Sequence, residues 1–89
     1  MGGSVVVQVS IRGKEGQPIA DARCYFTSAP VSLPDIAALS DESGTAVLSV
    51  PVAGRYTVAC AAEGHATVER EVAIPAQGPF KVEVTLPAA

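Results

Sequence analysis

Hydrophobic and polar residues alternate along most of this chain, and the alternation is clearest near its two ends. The first segment carries apolar residues at every second position, namely Val5, Val7, Val9 and Ile11. The last segment repeats the pattern with Phe80, Val82, Val84 and Leu86. Because successive side chains of a β-strand point to opposite faces, this period of two predicts strands with one buried face.

The segments between these two strands predict a β-sandwich. Shorter alternating runs cover residues 22–27, 45–50, 55–62 and 67–74, and turns rich in Gly and Pro separate them. Tyr56, Val58 and Cys60 share the inward face of one run, while Arg70 interrupts the apolar row of the next and indicates either an edge strand or the end of the core. Short strands with a turn every ~8–12 residues are typical of sandwiches. We therefore predict an all-β fold, a seven-stranded β-sandwich.

Residues 36–39 leave two alternatives open. Ala and Leu favour a helix, and Asp35 would cap its first turn. The segment offers about one helical turn before Gly44, which is too short for a stable isolated helix. We favour a short strand that pairs with residues 45–50 across a turn at residues 40–44, closed by Gly44.

The composition fits one small domain and argues against several classes of partner. Of the 89 residues, 48% are hydrophobic, and we predict a single domain at residues 5–87 after a flexible lead at residues 1–4. The net charge is −3 and the six Lys and Arg are scattered, whereas nucleic acid and anionic membranes require clustered cations. No apolar run approaches the ~18 residues of a membrane span. The first residues do not resemble a signal peptide, so a cytoplasmic location and export within a larger assembly both stay open.

Four motifs occur in a fixed order along the chain. They are residues 16–24 (pattern G-x-P-[IV]-x-x-A-x-V), residues 40–44 (T-D-x-x-G), residues 51–58 (P-x-G-x-Y-T-[VL]) and the Glu-Gly-His-Ala run at residues 63–66. This order resembles the carboxypeptidase regulatory-like domain, and the likeness spans residues 5–86. The chain departs from that family at His65, where Tyr or Phe is usual, and in a loop with two prolines at residues 29–35.

The resemblance implies a transthyretin-like, Greek-key β-sandwich without catalytic machinery. We expect a non-catalytic structural or protein–protein interaction module, an accessory domain of a larger cell-surface or secretion-related assembly. The alternative is a carbohydrate- or small-ligand-binding module, although Tyr25 is the one outward aromatic residue that the pattern predicts. The hydrolytic enzymes of the 5-hydroxyisourate family share the transthyretin fold but need several histidines, and this chain has one.

The two cysteines are predicted on inward strand faces. Cys24 and Cys60 are either separate buried thiols, which we favour, or one disulfide. A bridge would close a loop of about 36 residues, which the chain-entropy estimate values at roughly 3–4 kcal/mol. A catalytic Cys–His dyad with His65 is disfavoured because His65 lies in a turn at a strand end.

No metal, cofactor or catalytic motif is predicted. Asp35, Asp41, Glu42 and Glu63 lie in loops, but their spacing lacks the alternating ligands of a calcium loop. Asp41 and Gly44 are better explained by turn geometry. A Lys–Asn isopeptide cross-link is excluded because the chain contains no Asn.

The proline-containing loop is the segment that we select as a candidate partner-binding site. Two prolines would stiffen it and lower the entropic cost of binding. The favoured alternative is that its apolar side chains pack over the end of the core. The candidate residues are Pro30, Val31, Leu33, Pro34, Ile36 and Leu39. The expected partner is an unidentified protein, and exposed strand edges would also permit weak self-association.

Overall fold

The regular structure of the described residues consists of seven β-strands. A computed structural model describes residues 4–33 and 37–88. The strands are β1 (Val5–Gly13), β2 (Arg23–Ser28), β3 (Ala38–Leu39), β4 (Thr45–Val50), β5 (Gly54–Ala61), β6 (Val68–Ile74) and β7 (Phe80–Leu86). The alternating segments of the sequence thus become strands within one or two residues of the expected bounds.

The strands form two sheets that face each other. One sheet has three strands in the order β4-β1-β7, and the other has four in the order β3-β2-β5-β6. Strand β1 pairs antiparallel with β4 and parallel with β7. All pairs in the four-stranded sheet are antiparallel. The predicted all-β architecture with seven strands is confirmed.

The core lies between the sheets and consists of their inward-facing side chains. Val5, Val7, Val9 and Ile11 of β1 are each at most 2% exposed. They meet the inward residues of the opposite sheet, among them Tyr56 and Val58, in one continuous cluster. Because full burial of an aliphatic side chain contributes about 1.5–3 kcal/mol, the β1 row alone is a major source of stability. The predicted inward faces of β1, β5 and β7 are confirmed.

Tyr56 is the bulkiest fully buried side chain, and its hydroxyl has a partner. The ring is 1% exposed and packs against Phe26 with a centroid separation of 5.2 Å. Its hydroxyl donates a 2.7 Å hydrogen bond to the carbonyl oxygen of Val52 in the preceding turn. A buried tyrosine needs such an acceptor, so this bond fixes the turn between β4 and β5.

The position of Arg70 agrees with the predicted edge. Strand β6 ends the four-stranded sheet, and Glu69, Arg70 and Glu71 on it are all exposed. An ion pair of 3.6 Å joins Arg55 to Glu71 across the β5–β6 pair, between side chains that are well exposed. Such surface pairs contribute little to stability, so the charges mainly protect this edge from pairing.

The expected pairing of the segment before Gly44 is wrong. Ala38–Leu39 forms a strand, but it pairs with β2 through Cys24↔Ala38 and Arg23↔Leu39 rather than with β4. Asp35 and Ile36, which entered that prediction, lie outside the described residues. The turn at residues 41–44 is present, yet it carries the chain from one sheet to the other. A hairpin pattern in the sequence does not distinguish a turn within a sheet from one between sheets.

Ser40 explains why the segment stays with β2, and the sequence reasoning missed it. Its side chain is 4% exposed, accepts a hydrogen bond from the Ala22 amide and donates one to the Ile19 carbonyl. Its backbone N–H donates to the Ala22 carbonyl, and its own carbonyl accepts from Asp21. These bonds tie the chain to the start of β2 immediately before it crosses the sandwich.

The first prediction compares two glycines with the same backbone conformation. Gly44 and Gly64 both have φ of +80°, but a Cβ at Gly44 would lie 2.6 Å from the Ile11 carbonyl oxygen, whereas Gly64 faces open space. Gly64→Ala should cost the conformational penalty alone, about 1–2 kcal/mol. Gly44→Ala should cost clearly more, measured as the free energy of unfolding in urea. Equal losses would contradict the assigned contact between Gly44 and β1.

The second prediction concerns Ser40. Ser40→Ala removes the acceptor of the buried Ala22 amide and the donor to Ile19, so we expect a loss of about 1–3 kcal/mol. Ser49→Ala on the exposed face of β4 is the matched control and should stay within about 0.5 kcal/mol of wild type. Urea unfolding followed by circular dichroism measures both. Similar stabilities for the two variants would rule out the proposed role of the Ser40 hydroxyl.

Candidate functional site

Strand β4 differs from the other strands that end a sheet. In the described part of the chain, β4 and β7 end one sheet while β3 and β6 end the other. Strand β6 carries three consecutive charged residues, β7 carries Lys81 and Glu83, and β3 is two residues long. Charge and shortness are the usual protections of an edge. Strand β4, with the sequence TAVLSV, has neither.

An apolar groove of about 400 Å³ lies along β4. Its other wall comes from the opposite sheet and the loop after β2, through Phe26, Leu33 and Ala38. The groove is lined by Ser4, Phe26, Ser32, Leu33, Ala38, Val47, Leu48, Ser49, Val50 and Pro51. None of these residues is charged, and the polar groups among the side chains are serine hydroxyls.

The lining shows that the backbone edge of β4 forms one wall. Residues 47–50 all line the groove, although Val47 and Ser49 are exposed while Leu48 and Val50 point into the core. Since consecutive side chains alternate between faces, a wall that contains four in a row must include the strand edge between them. Val47 is 57% exposed and supplies apolar surface beside that edge.

The structure divides the residues of the candidate loop. Leu33 packs against the core, as the favoured interpretation expects, and it also lines the groove, where partner binding stays a prediction. Pro30 is exposed and lies against Gly54, and Val31 is 40% exposed. Pro34 and Ile36 lie outside the described residues.

Leu39 belongs to a different surface from Leu33. It is 61% exposed, pairs with Arg23, and lines a second, shallower depression with Asp21 and Glu63. The apolar loop residues therefore do not form one patch. The groove along β4 has the more apolar lining of the two, and sequence reasoning missed it because β4 has the pattern of an ordinary alternating strand.

Cys24 and Cys60 lie opposite each other in the β2–β5 pair. Both are fully buried free thiols, and their sulfur atoms are 2.9 Å apart in a shared hydrogen bond. The hydrogen bond to Cys60, together with burial, raises the pKa of Cys24 far above that of an ordinary thiol. Neither thiol is thus an exposed nucleophile in this fold.

His65 lies apart from the cysteines. Its ring Nδ1 is 3.1 Å from the Glu63 carbonyl oxygen, and the residue forms an isolated bridge with Ala88. The neighbouring Ala66 amide donates to the Pro87 carbonyl. His65 therefore belongs to a turn that holds the segment after β7, which agrees with its interpretation as a turn residue.

Of the acidic loop residues, Asp41 and Glu63 lie in different turns. Glu63 lies beside Asp21 and Ala62, while Asp41 lies in the turn before β4, and Asp35 is outside the described residues. Across residues 4–33 and 37–88, no three His, Cys, Asp or Glu side chains are grouped so that they could hold a metal ion. Over the same residues, no helix is long and apolar enough to cross a membrane.

Asp41 uses its carboxylate to shape the turn. One oxygen accepts hydrogen bonds from the Ser43 hydroxyl at 2.6 Å and from the amides of Ser43 and Thr45 at 3.0 Å each. The Ser43 hydroxyl bond, followed by the Thr45 amide bond, lowers the pKa of Asp41. This arrangement is the side-chain turn typical of Asp, and it explains the residue without a cation.

Comparison with known proteins identifies the fold. No protein-family model matches the chain, and no curated protein is significantly similar to it in sequence. Among solved structures, the major pilin subunit BcpA of Bacillus cereus is similar over 94% of this chain and 29% of its own, with a TM-score of 0.73 and 15% identity.

Two further structures share the architecture. The 3-chlorocatechol 1,2-dioxygenase of Rhodococcus opacus matches 100% of this chain and 61% of its own, with a TM-score of 0.68 and 15% identity. The Caf1A usher C-terminal domain matches 93% and 97%, with a TM-score of 0.59 and 6% identity. The chain spans less than two thirds of the pilin and the dioxygenase. At these identities the likeness establishes the β-sandwich fold.

The third prediction tests the Asp41 turn by its pH dependence. Because the pKa of Asp41 is lower in the folded state, its stabilisation is complete above the ordinary Asp value of about 4 and fades as the pH falls through the folded value. Asp41→Ala should lower the Tm at neutral pH, and its gap from wild type should narrow in acid. Asp41→Asn keeps one acceptor oxygen and should lose less. Circular dichroism melts across the acid range measure these gaps.

Glu42→Ala is the control for that series. Glu42 is the exposed neighbour of Asp41 in the same turn, so its removal changes the local charge by the same amount. The Tm of Glu42→Ala should stay close to that of wild type at every pH. A gap between Asp41→Ala and wild type that did not change with pH would contradict the assigned hydrogen bonds.

Proposed function

We propose that this chain is a non-catalytic β-sandwich module that binds a protein partner along the edge of β4. An extended segment of the partner would add a strand beside β4 and place alternate side chains in the apolar groove. Strand addition derives its affinity from main-chain hydrogen bonds and its specificity from pockets for alternate side chains. The observation that carries the proposal is the edge of β4, which within residues 4–33 and 37–88 carries no charge and borders an apolar groove.

The chemistry of the groove specifies the segment that would fit. The described residues of its walls carry no charge, so a charged side chain placed beside them would lose hydration without gaining a partner. Serine hydroxyls at Ser32 and Ser49 favour small polar or backbone groups at its margins. We therefore expect an extended segment with apolar residues at every second position.

The similar structures are consistent with a role of this kind. One is the major pilin subunit of Bacillus cereus, and another is an usher domain whose surface hydrophobic clusters are important for F1 antigen assembly. By analogy, we propose that this module serves in a larger cell-surface or secretion-related assembly. In this module, Val47 and the groove beside it would form the surface used for assembly.

The resemblance to the carboxypeptidase regulatory-like domain also supports the proposal of a non-catalytic module. The carboxypeptidase regulatory-like pattern contains Gly44, Gly54 and Tyr56, and each has a structural reason here, since both glycines have positive φ and Tyr56 anchors a turn. A transthyretin-like accessory domain without catalytic residues is what these features support. They are turn-forming features, so they favour a scaffold rather than a reaction.

A carbohydrate-binding role is less well supported by the same surface. Sugar sites usually present an exposed aromatic ring. Phe26, the aromatic residue of the groove, is partly buried and packs on Tyr56, and Tyr25 on the outer face is half-buried. The apolar groove therefore favours an extended peptide over a sugar.

The fourth prediction tests strand addition with a defined probe. Peptides of about ten residues, selected from a random phage-displayed library on the purified domain, should be enriched in alternating apolar residues. Val47→Lys places a charge beside the edge and should weaken the selected peptides by about tenfold or more in fluorescence anisotropy. Thr85→Lys adds the same charge to the exposed face of β7 in the same sheet and should leave the affinity unchanged.

Two outcomes would overturn the proposed site. One is equal loss of affinity in Val47→Lys and Thr85→Lys, which would indicate a general charge effect. The other is a library that yields no peptide preferring this domain over an unrelated β-sandwich. Circular dichroism of both variants confirms that the fold is intact before binding is compared.

A further inference from the structure

The two thiols of the chain occupy a position that suits covalent closure. Cys24 and Cys60 are directly opposed Cα partners on neighbouring antiparallel strands. In such pairs the Cα atoms are about 4.5–5.5 Å apart, which falls within the range that disulfides span. The sulfur atoms are already in contact at 2.9 Å and lie 36 residues apart in sequence. The chain contains two cysteines, so an intramolecular disulfide has one possible pairing.

We propose that Cys24 and Cys60 form a two-electron redox site, which closes to a cross-strand disulfide by exchange with the disulfide of a low-molecular-weight thiol. In the first step, once local opening has exposed Cys24 and broken its hydrogen bond to Cys60, the Cys24 thiolate attacks the small disulfide, and one small thiolate leaves with the proton of Cys24. In the second step the Cys60 thiolate attacks the Cys24 sulfur and releases the second small thiolate, which takes the proton of Cys60. The protein loses two electrons and two protons, and one small disulfide becomes two thiols.

The order of the two steps follows from the positions of the strands. Cys24 lies on β2, which is covered on one side by the two residues of β3, whereas Cys60 lies on β5 between β2 and β6. Opening of the short edge strand β3 would expose Cys24 first. Since both thiols are 0% exposed in the closed fold, exchange requires this opening or takes place before folding is complete.

The disulfide would join the two central strands of the four-stranded sheet. Strands β2 and β5 already pair in this register, so closure requires no change of strand pairing. A bridge of this loop length should raise the Tm of the domain by roughly 10–30 °C. The site would thus make the stability of the module depend on the redox state of its compartment.

The fifth prediction is tested on the wild-type chain with glutathione. The reduced domain is incubated with oxidised glutathione, quenched with acid, unfolded and alkylated. We expect a monomer that has lost the mass of two hydrogen atoms, carries no alkyl groups and melts at the higher Tm, with full reversal by dithiothreitol. Brief exposure to urea during oxidation should accelerate closure, because it increases the open population.

Cysteine variants assign the steps. Cys60→Ala should accumulate the glutathione mixed disulfide on Cys24, and the double variant Cys24→Ala/Cys60→Ala should show no change in Tm with oxidant. If a variant does not fold, the measurement on the wild-type chain still tests the proposal. A wild-type chain that keeps two alkylatable thiols after equilibration in urea and oxidant, stops at a glutathione adduct, or forms intermolecular dimers would overturn the proposal.

Discussion

The inward row of β1 is the constraint on which the rest of the molecule depends. This strand pairs on both edges and buries Val5, Val7, Val9 and Ile11 against the opposite sheet. Its far end also organises the loops, since Ile11 accepts a hydrogen bond from the Ile19 amide and donates one to the Gly44 carbonyl. A shift of one residue would move these four inward side chains to the outside, so the hydrophobic core fixes the register of the three-stranded sheet.

Because β1 lies in the middle of the three-stranded sheet, it also determines which strands form the edges of that sheet. With β4 and β7 on either side of it, both become edges, and they differ in protection because β7 carries Lys81 and Glu83 while β4 carries no charge. The groove forms where the unprotected edge faces Phe26 and Leu33 of the opposite layer. The feature proposed to bind a partner therefore follows from strand order combined with side-chain chemistry.

In the opposite sheet, Ser40 and the cysteine pair hold the start of β2 and the end of β5. Ser40 ties the crossing segment to Ile19 and Ala22, while Cys24 and Cys60 share a hydrogen bond in the β2–β5 pair. The Ser40 hydroxyl and the two thiols are polar groups inside an apolar layer, and each is hydrogen-bonded to another group of the protein. Buried polar groups of this kind favour one register because a slipped strand would leave them unpaired.

The sequence alone determined the strands, their inward faces and the turn residues, because alternation and turn chemistry are local properties. It did not determine that β3 pairs with β2, that β7 runs parallel to β1, that Ser40 is buried, or that Cys24 faces Cys60. Nor did it indicate that β4 borders a groove. A period of two specifies which face of a strand is buried, but the neighbour of each strand is decided by contacts between residues distant in sequence.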